Sequence, residues 1–119
     1  MEKLVIISTK GPNDPEIATI AFVMATAALA TDIETTVILQ SDAVWISKKG
    51  EATKINVQGF MPLQTLLENF MALGGKLMLC SPCLKERGIT SDDLIEGAQT
   101  IAAGTVITEA MSAKTVMTY

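Results

Sequence analysis

The chain has 119 residues with Lys+Arg 9 and Asp+Glu 13, for a net charge of −4, and 49% of its residues are hydrophobic. That length suits one domain and that apolar fraction fills a core, which excludes intrinsic disorder. With 18% charged and 4% aromatic residues, the acidic chain lacks the positive charge and stacking rings of a nucleic-acid binder, and its sparse polar surface predicts self-association.

Leu4-Val5-Ile6-Ile7 is a short β-branched apolar run, the pattern of a strand buried on both faces of a parallel sheet. Met1-Glu2-Lys3 before it lacks a signal-peptide layout, so a cytoplasmic protein is expected. Asp14 is placed to cap a helix with Pro15 at its first position. Residues 16–30, closed by Asp32, form that helix, apolar nearly all round. It spans roughly 22 Å against a ~30 Å hydrocarbon core, so it packs on the sheet and on another subunit and does not cross a membrane.

Thr35-Thr36-Val37-Ile38-Leu39 is the second strand, and Ser41-Asp42 are set to cap a short helical segment over residues 43–46. Residues 47–51, Ser-Lys-Lys-Gly-Glu, read as a charged, solvated, flexible connection. A helix over residues 62–73 carries Leu63, Leu66, Leu67, Phe70 and Met71 at helical spacing, and Gly74-Gly75 stop it. Met61, Met71 and Met78 read as core fillers. Lys76-Leu77-Met78-Leu79 is the third strand and delivers Cys80 to its end. A tight turn and short helix follow to Gly88, then a helical turn over residues 90–95. A fourth strand at 98–102, a helix at 105–112 and a fifth strand at 115–119 complete the chain. Strands separated by helices predict a single-domain α/β fold with right-handed crossovers and three layers, α/β/α. Function in such folds lies outside the carboxyl ends of the strands.

Histidine is absent, which removes Ser-His-Asp and Cys-His catalysis and His-ligated metals. Cys80 and Cys83 are the 2 cysteines. They are too few for a four-thiolate metal or iron–sulfur site and too close for a disulfide scaffold, so no metal and no cofactor is expected. Thiol chemistry remains. A helix N-terminus after Cys80 favours a thiolate there, Pro82 suits the first helical turn, and Lys85 and Arg87 add positive charge. Cys83, one turn on, is placed as a resolving thiol against a Cys80 persulfide or mixed disulfide.

Cys-Ser-Pro-Cys is locally similar to the thioredoxin motif. Pro12, Pro15, Pro62 and Pro82 all lie at or before it, so the downstream proline loop of a thioredoxin-like fold is missing. Residues 77–89, in which Cys80 ends an apolar strand and Arg87-Gly88-Ile89 follow seven residues later, resemble the DsrE/DsrF-like family, including sulfur-relay members of the TusD type. The opening strand, Thr9-Lys10-Gly11 and the Ala-rich first helix extend the resemblance over the whole chain. It implies a five-stranded parallel sheet, homotrimers or homohexamers, and a cysteine at Cys80 that carries sulfur as a persulfide; Cys83 is extra relative to the TusD type. The expected function is therefore a sulfur carrier, sulfurtransferase-like in its chemistry, exchanging with donor and acceptor proteins that the sequence does not identify. The alternatives are a thiol–disulfide redox protein or sensor cycling Cys80 and Cys83, and a non-catalytic oligomer binding a small ligand or partner in a crevice lined by Thr9, Gly11, Ser41 and the Cys80 loop.

Overall fold

The computed structural model describes residues 2–119; Met1, part of the amino-terminal pattern read above, lies outside them. Its strands and helices follow in the order β1 (Lys3–Ser8), α1 (Pro15–Ala30), β2 (Glu34–Leu39), α2 (Leu63–Ala72), β3 (Lys76–Cys80), α3 (Ser81–Glu86), β4 (Ala98–Ile101), α4 (Ala103–Ser112) and β5 (Thr115–Thr118). Short 3-10 segments lie at Ser41–Ser47, Ala52–Lys54 and Ser91–Asp93. Asp14 caps α1 as its sequence suggests, accepting the Ile17 N–H at 3.3 Å, with Pro15 first in the helix. Gly74, at φ 90°, turns the chain out of α2 while the Gly75 N–H bonds the Phe70 carbonyl at 2.9 Å.

The sheet is all parallel, in the order β4-β3-β2-β1-β5. From β1 to β4 the chain steps in one direction, and the last connection returns past β1 to the far edge. Right-handed crossovers then place α1, α2 and α3 on one face and α4 on the other. Packing follows this division and the two-residue period of the strands. Leu4, Ile6, Val37, Leu39, Leu77 and Leu79 meet Phe22, Leu66, Phe70 and Leu84 on the first face. Val5, Ile38, Met78 and Ile101 form the smaller second core, beneath Val106. The expected three layers are present, one of them a single helix.

The outgoing connections of the adjacent strands β3 and β4 leave to opposite faces, α3 to the large core and α4 to the small one. Ligands of open α/β sheets bind outside the carboxyl ends of such a pair, and Cys80 ends β3 on that side, in register with Ile101. At the other edge, the N–H and Oγ1 of Thr9 both donate to the Tyr119 carbonyl at 2.9 Å, and the Tyr119 N–H donates to the Ile7 carbonyl at 2.9 Å. The carboxyl-terminal strand is thereby stitched to the first one.

Several local expectations change. The segment 47–51 is not a free connection: Lys48 bridges Leu94 in antiparallel fashion, the Lys49 N–H bonds the Asp93 carbonyl at 2.8 Å, and the Ile95 N–H bonds the Ser47 carbonyl at 2.9 Å. Lys48 also lies 5.6 Å from the Trp45 ring centroid. Met61 is 51% exposed, so it fills no core, whereas Met78 is buried. Ser41 and Asp42 belong to the 3-10 segment, whose N-cap is Gln40, and neither acts as its cap.

Candidate functional site at the carboxyl ends of the strands

At Cys80 the chain leaves β3 and becomes the N-cap of α3, with Pro82 in the first helical turn, where its missing N–H leaves no helical bond unmade. Cys83 is the third helical residue. Side chains at the cap and at that position face each other, the relation that capping boxes use. Here the pair is sulfur with sulfur: the two thiols share a hydrogen bond, with Sγ to Sγ 2.8 Å. Both cysteines are free and half-buried against the edge of the large core.

The segment after β2 reaches this pair from the side. Ser41 has φ 53°, a left-handed conformation that costs an L-residue on the order of 1–2 kcal/mol. Its N–H donates to Cys83 Sγ at 3.2 Å. Asp42 holds the segment down: its Oδ1 accepts Arg87 Nε at 3.0 Å and pairs with Arg87 Nη2 at 2.9 Å. A third guanidinium nitrogen, Nη1, donates to the Cys83 carbonyl at 3.1 Å. Arg87 thus joins the β2 segment to α3, and only a planar fork can make these contacts together. From the β1 side the backbone of Gly11 presses on Asp42; a Cβ at Gly11 would collide with the Asp42 carbonyl oxygen. Its role is close backbone approach.

The electrostatics run against the favoured anion expected at Cys80. Burial pushes the Cys80 thiol up, and hydrogen bonding and like-charge repulsion with Cys83 add to the shift. The Cys83 N–H and the Arg87 charge pull down and do not prevail. The physical reasons are visible: α3 has 6 residues, too short for a strong dipole, and the Arg87 guanidinium is engaged by Asp42.

Sequence reasoning named Cys80, Cys83 and Arg87, and the structure brings them together, with Arg87 on the Cys83 carbonyl rather than on a sulfur. Asp42 was missed, because nothing local links it to Arg87, 45 residues away. Of the crevice residues Thr9, Gly11 and Ser41, Ser41 bonds a sulfur, Gly11 packs on Asp42, and Thr9 is used in fastening the chain end. Among the described residues, no three Cys, Asp or Glu side chains gather as a metal site, and no helix is long and apolar enough to cross a membrane. A hollow of about 690 Å³ lies elsewhere, between α1 and α2 near the amino ends of the strands, lined by Val23, Ala27, Met61, Leu66 and Leu73 among others.

The profile of the DsrE/DsrF-like family matches residues 2–119. The uncharacterized protein MJ0989 of Methanocaldococcus jannaschii is 32% identical over 117 residues, which cover 98% of this chain and 99% of that one. The crystal structure of the ychN protein from E. coli superposes with a TM-score of 0.86 at 26% identity, covering 100% of both chains. The structure of MTH1491, a protein of unknown function from Methanobacterium thermoautotrophicum, superposes with a TM-score of 0.76 at 15% identity over 100% of both chains and shares the fold.

Proposed function

The chain belongs to the DsrE/DsrF-like family, and from that premise we propose that it carries sulfane sulfur on Cys80. The family suggests a sulfur-relay-type role; the finer reading rests on this chain's own residues. Cys80 as thiolate attacks the outer sulfur of a donor persulfide, R–S–SH. The donor's S–S bond breaks, R–S⁻ leaves as thiolate and takes its proton from solvent, and Cys80 holds the sulfur, with the proton it already carried, as Cys80–S–SH. Transfer to an acceptor thiol is the same exchange in reverse. The observation that carries the reading is the place of Cys80: half-buried at the carboxyl end of β3, where the outgoing connections diverge, beside a second thiol.

The test isolates Cys80. Cys83→Ser protein treated with glutathione persulfide is expected to gain the mass of one sulfur atom, removable by excess thiol. The Cys80→Ser, Cys83→Ser double variant gains none. Equal gain in both proteins, or gain in neither, overturns the carrier.

The 2.8 Å sulfur–sulfur separation favours a second reading, reversible dithiol–disulfide cycling. Mild oxidant then removes the mass of two hydrogens and a reductant restores it; cysteines that stay reduced exclude this reading. Exposed apolar side chains, Ile107 at 63% and Met111 at 81% on α4, support assembly into a homotrimer or homohexamer. Light scattering is expected to give a mass well above 12.7 kDa, and a monomer mass refutes assembly.

A further inference from the structure

We propose that Cys83 discharges the sulfur held on Cys80 as hydrogen sulfide, so that the protein reduces persulfides with electrons drawn from a dithiol. This rests on the carrier reading above and gives it a chemical outcome: without an acceptor thiol the sulfur leaves as sulfide.

The geometry favours this step. Cys83 Sγ lies 2.8 Å from Cys80 Sγ, closer than the roughly 3–3.5 Å of a near-attack arrangement, so the two reacting atoms are already in contact. A disulfide of about 2.05 Å needs the two sulfurs to close by less than about 1 Å. Cys83 is also held at both ends, its sulfur by the Ser41 N–H and its carbonyl by Arg87 Nη1. Little further ordering is needed when it attacks.

The step balances as Cys80–Sγ–Sδ–H plus Cys83–Sγ–H giving the Cys80–Cys83 disulfide plus hydrogen sulfide. The Sγ–Sδ bond breaks and the Sγ–Sγ bond forms. The outer sulfur gains two electrons, the two cysteines are oxidised together, and the Cys83 proton leaves with the sulfide. A dithiol then reduces the disulfide by ordinary exchange and is itself oxidised. Over the cycle, R–S–SH and a dithiol become R–SH, hydrogen sulfide and the oxidised dithiol.

Selectivity for the inner sulfur follows from the leaving groups. Attack on Cys80 Sγ expels hydrosulfide, a weaker base than an alkyl thiolate. Attack on Sδ would merely move the sulfur to Cys83, and it must expel the Cys80 thiolate, whose thiol burial pushes up. The better leaving group departs faster. The inner attack requires Sδ to lie on the side of Cys80 away from Cys83. In a reaction sequence the protein would follow a step that makes persulfides and precede one that consumes sulfide, with a dithiol reductant alongside.

The experiment loads fully reduced wild-type protein with glutathione persulfide, removes small molecules by rapid gel filtration, and follows sulfide with an electrode and the protein by intact mass. Wild type is expected to release one sulfide for each Cys80–Cys83 disulfide formed. Cys83→Ser is expected to retain the added sulfur and release no sulfide until thiol is supplied. If Cys83→Ser carries the sulfur and wild type also retains it with no sulfide and no disulfide, discharge is wrong while the carrier stands. If Cys83→Ser gains no sulfur, the carrier reading itself fails.

Discussion

The two ends of the sheet differ in kind. At the amino ends, α1 and α2 leave a hollow of about 690 Å³, and its lining is mostly apolar, without a thiol or a charged side chain. At the carboxyl ends, two sulfurs, a left-handed backbone, a carboxylate and a guanidinium lock the segment after β2 to the β3–α3 junction. Cavity size therefore marks where side chains fail to meet; reactivity lies where polar groups are forced to meet, at the strand-to-helix turns.

A matched pair of glycines tests this contrast most severely. Alanine at Gly11 drives its Cβ into the Asp42 carbonyl, and alanine at Gly75 drives its Cβ into the Phe70 ring. Both substitutions are expected to cost about 1–3 kcal/mol in denaturant unfolding. Thiol alkylation rates should change only for Gly11→Ala; a comparable change in Gly75→Ala would erase the distinction between the ends.

A smaller effect separates clamp from charge. Arg87 is 18% exposed and Asp42 36%, so Asp42→Ala should lower stability by no more than about 1 kcal/mol. With Ser41 released, closure of the Cys80–Cys83 disulfide should slow about fivefold, as a loss of ~1 kcal/mol implies. Arg87→Lys keeps the charge and loses the fork, so it should slow closure similarly. Closure at the wild-type rate in Arg87→Lys would mean that charge alone matters.

The pH dependence of Cys80 is narrower still. In Cys83→Ser, alkylation of Cys80 should rise only at pH values above those of an ordinary cysteine, because burial, the largest cause of its upward shift, remains. The folded chain holds this proton more tightly than the unfolded one. The associated stability is thus complete below the ordinary thiol range and fades as pH climbs through the raised value. A profile at or below that of free cysteine would contradict the burial. The smallest effect belongs to the amino end, where Leu73→Gln, at a side chain 54% exposed, should change stability by less than about 0.5 kcal/mol and leave the thiols untouched.

Much of this was legible in the sequence, because local chemistry determined it. The apolar run of β1, the Asp14-Pro15 start of α1, the glycine stop of α2 and the delivery of Cys80 to the end of β3 each follow from residues adjacent in the chain. Cys83 facing Cys80 is likewise a three-residue relation. What escaped depends on distance along the chain. The Asp42–Arg87 contact, the left-handed Ser41 it accompanies and the pairing of Lys48 with Leu94 come from segments that meet only after the sheet assembles. The upward push on Cys80 escaped for the same reason, since burial is a property of the assembled fold.

The stitching of Tyr119 to Ile7 and Thr9 has a consequence for biosynthesis. β1 leaves the ribosome before β5, yet one of its edges waits for that strand. Until residues 115–118 have cleared the exit tunnel, a nascent chain presents an apolar, unpaired edge, a template for unwanted pairing with its neighbours. Stalled or truncated translation products should therefore be chaperone clients even when every residue before β5 is intact.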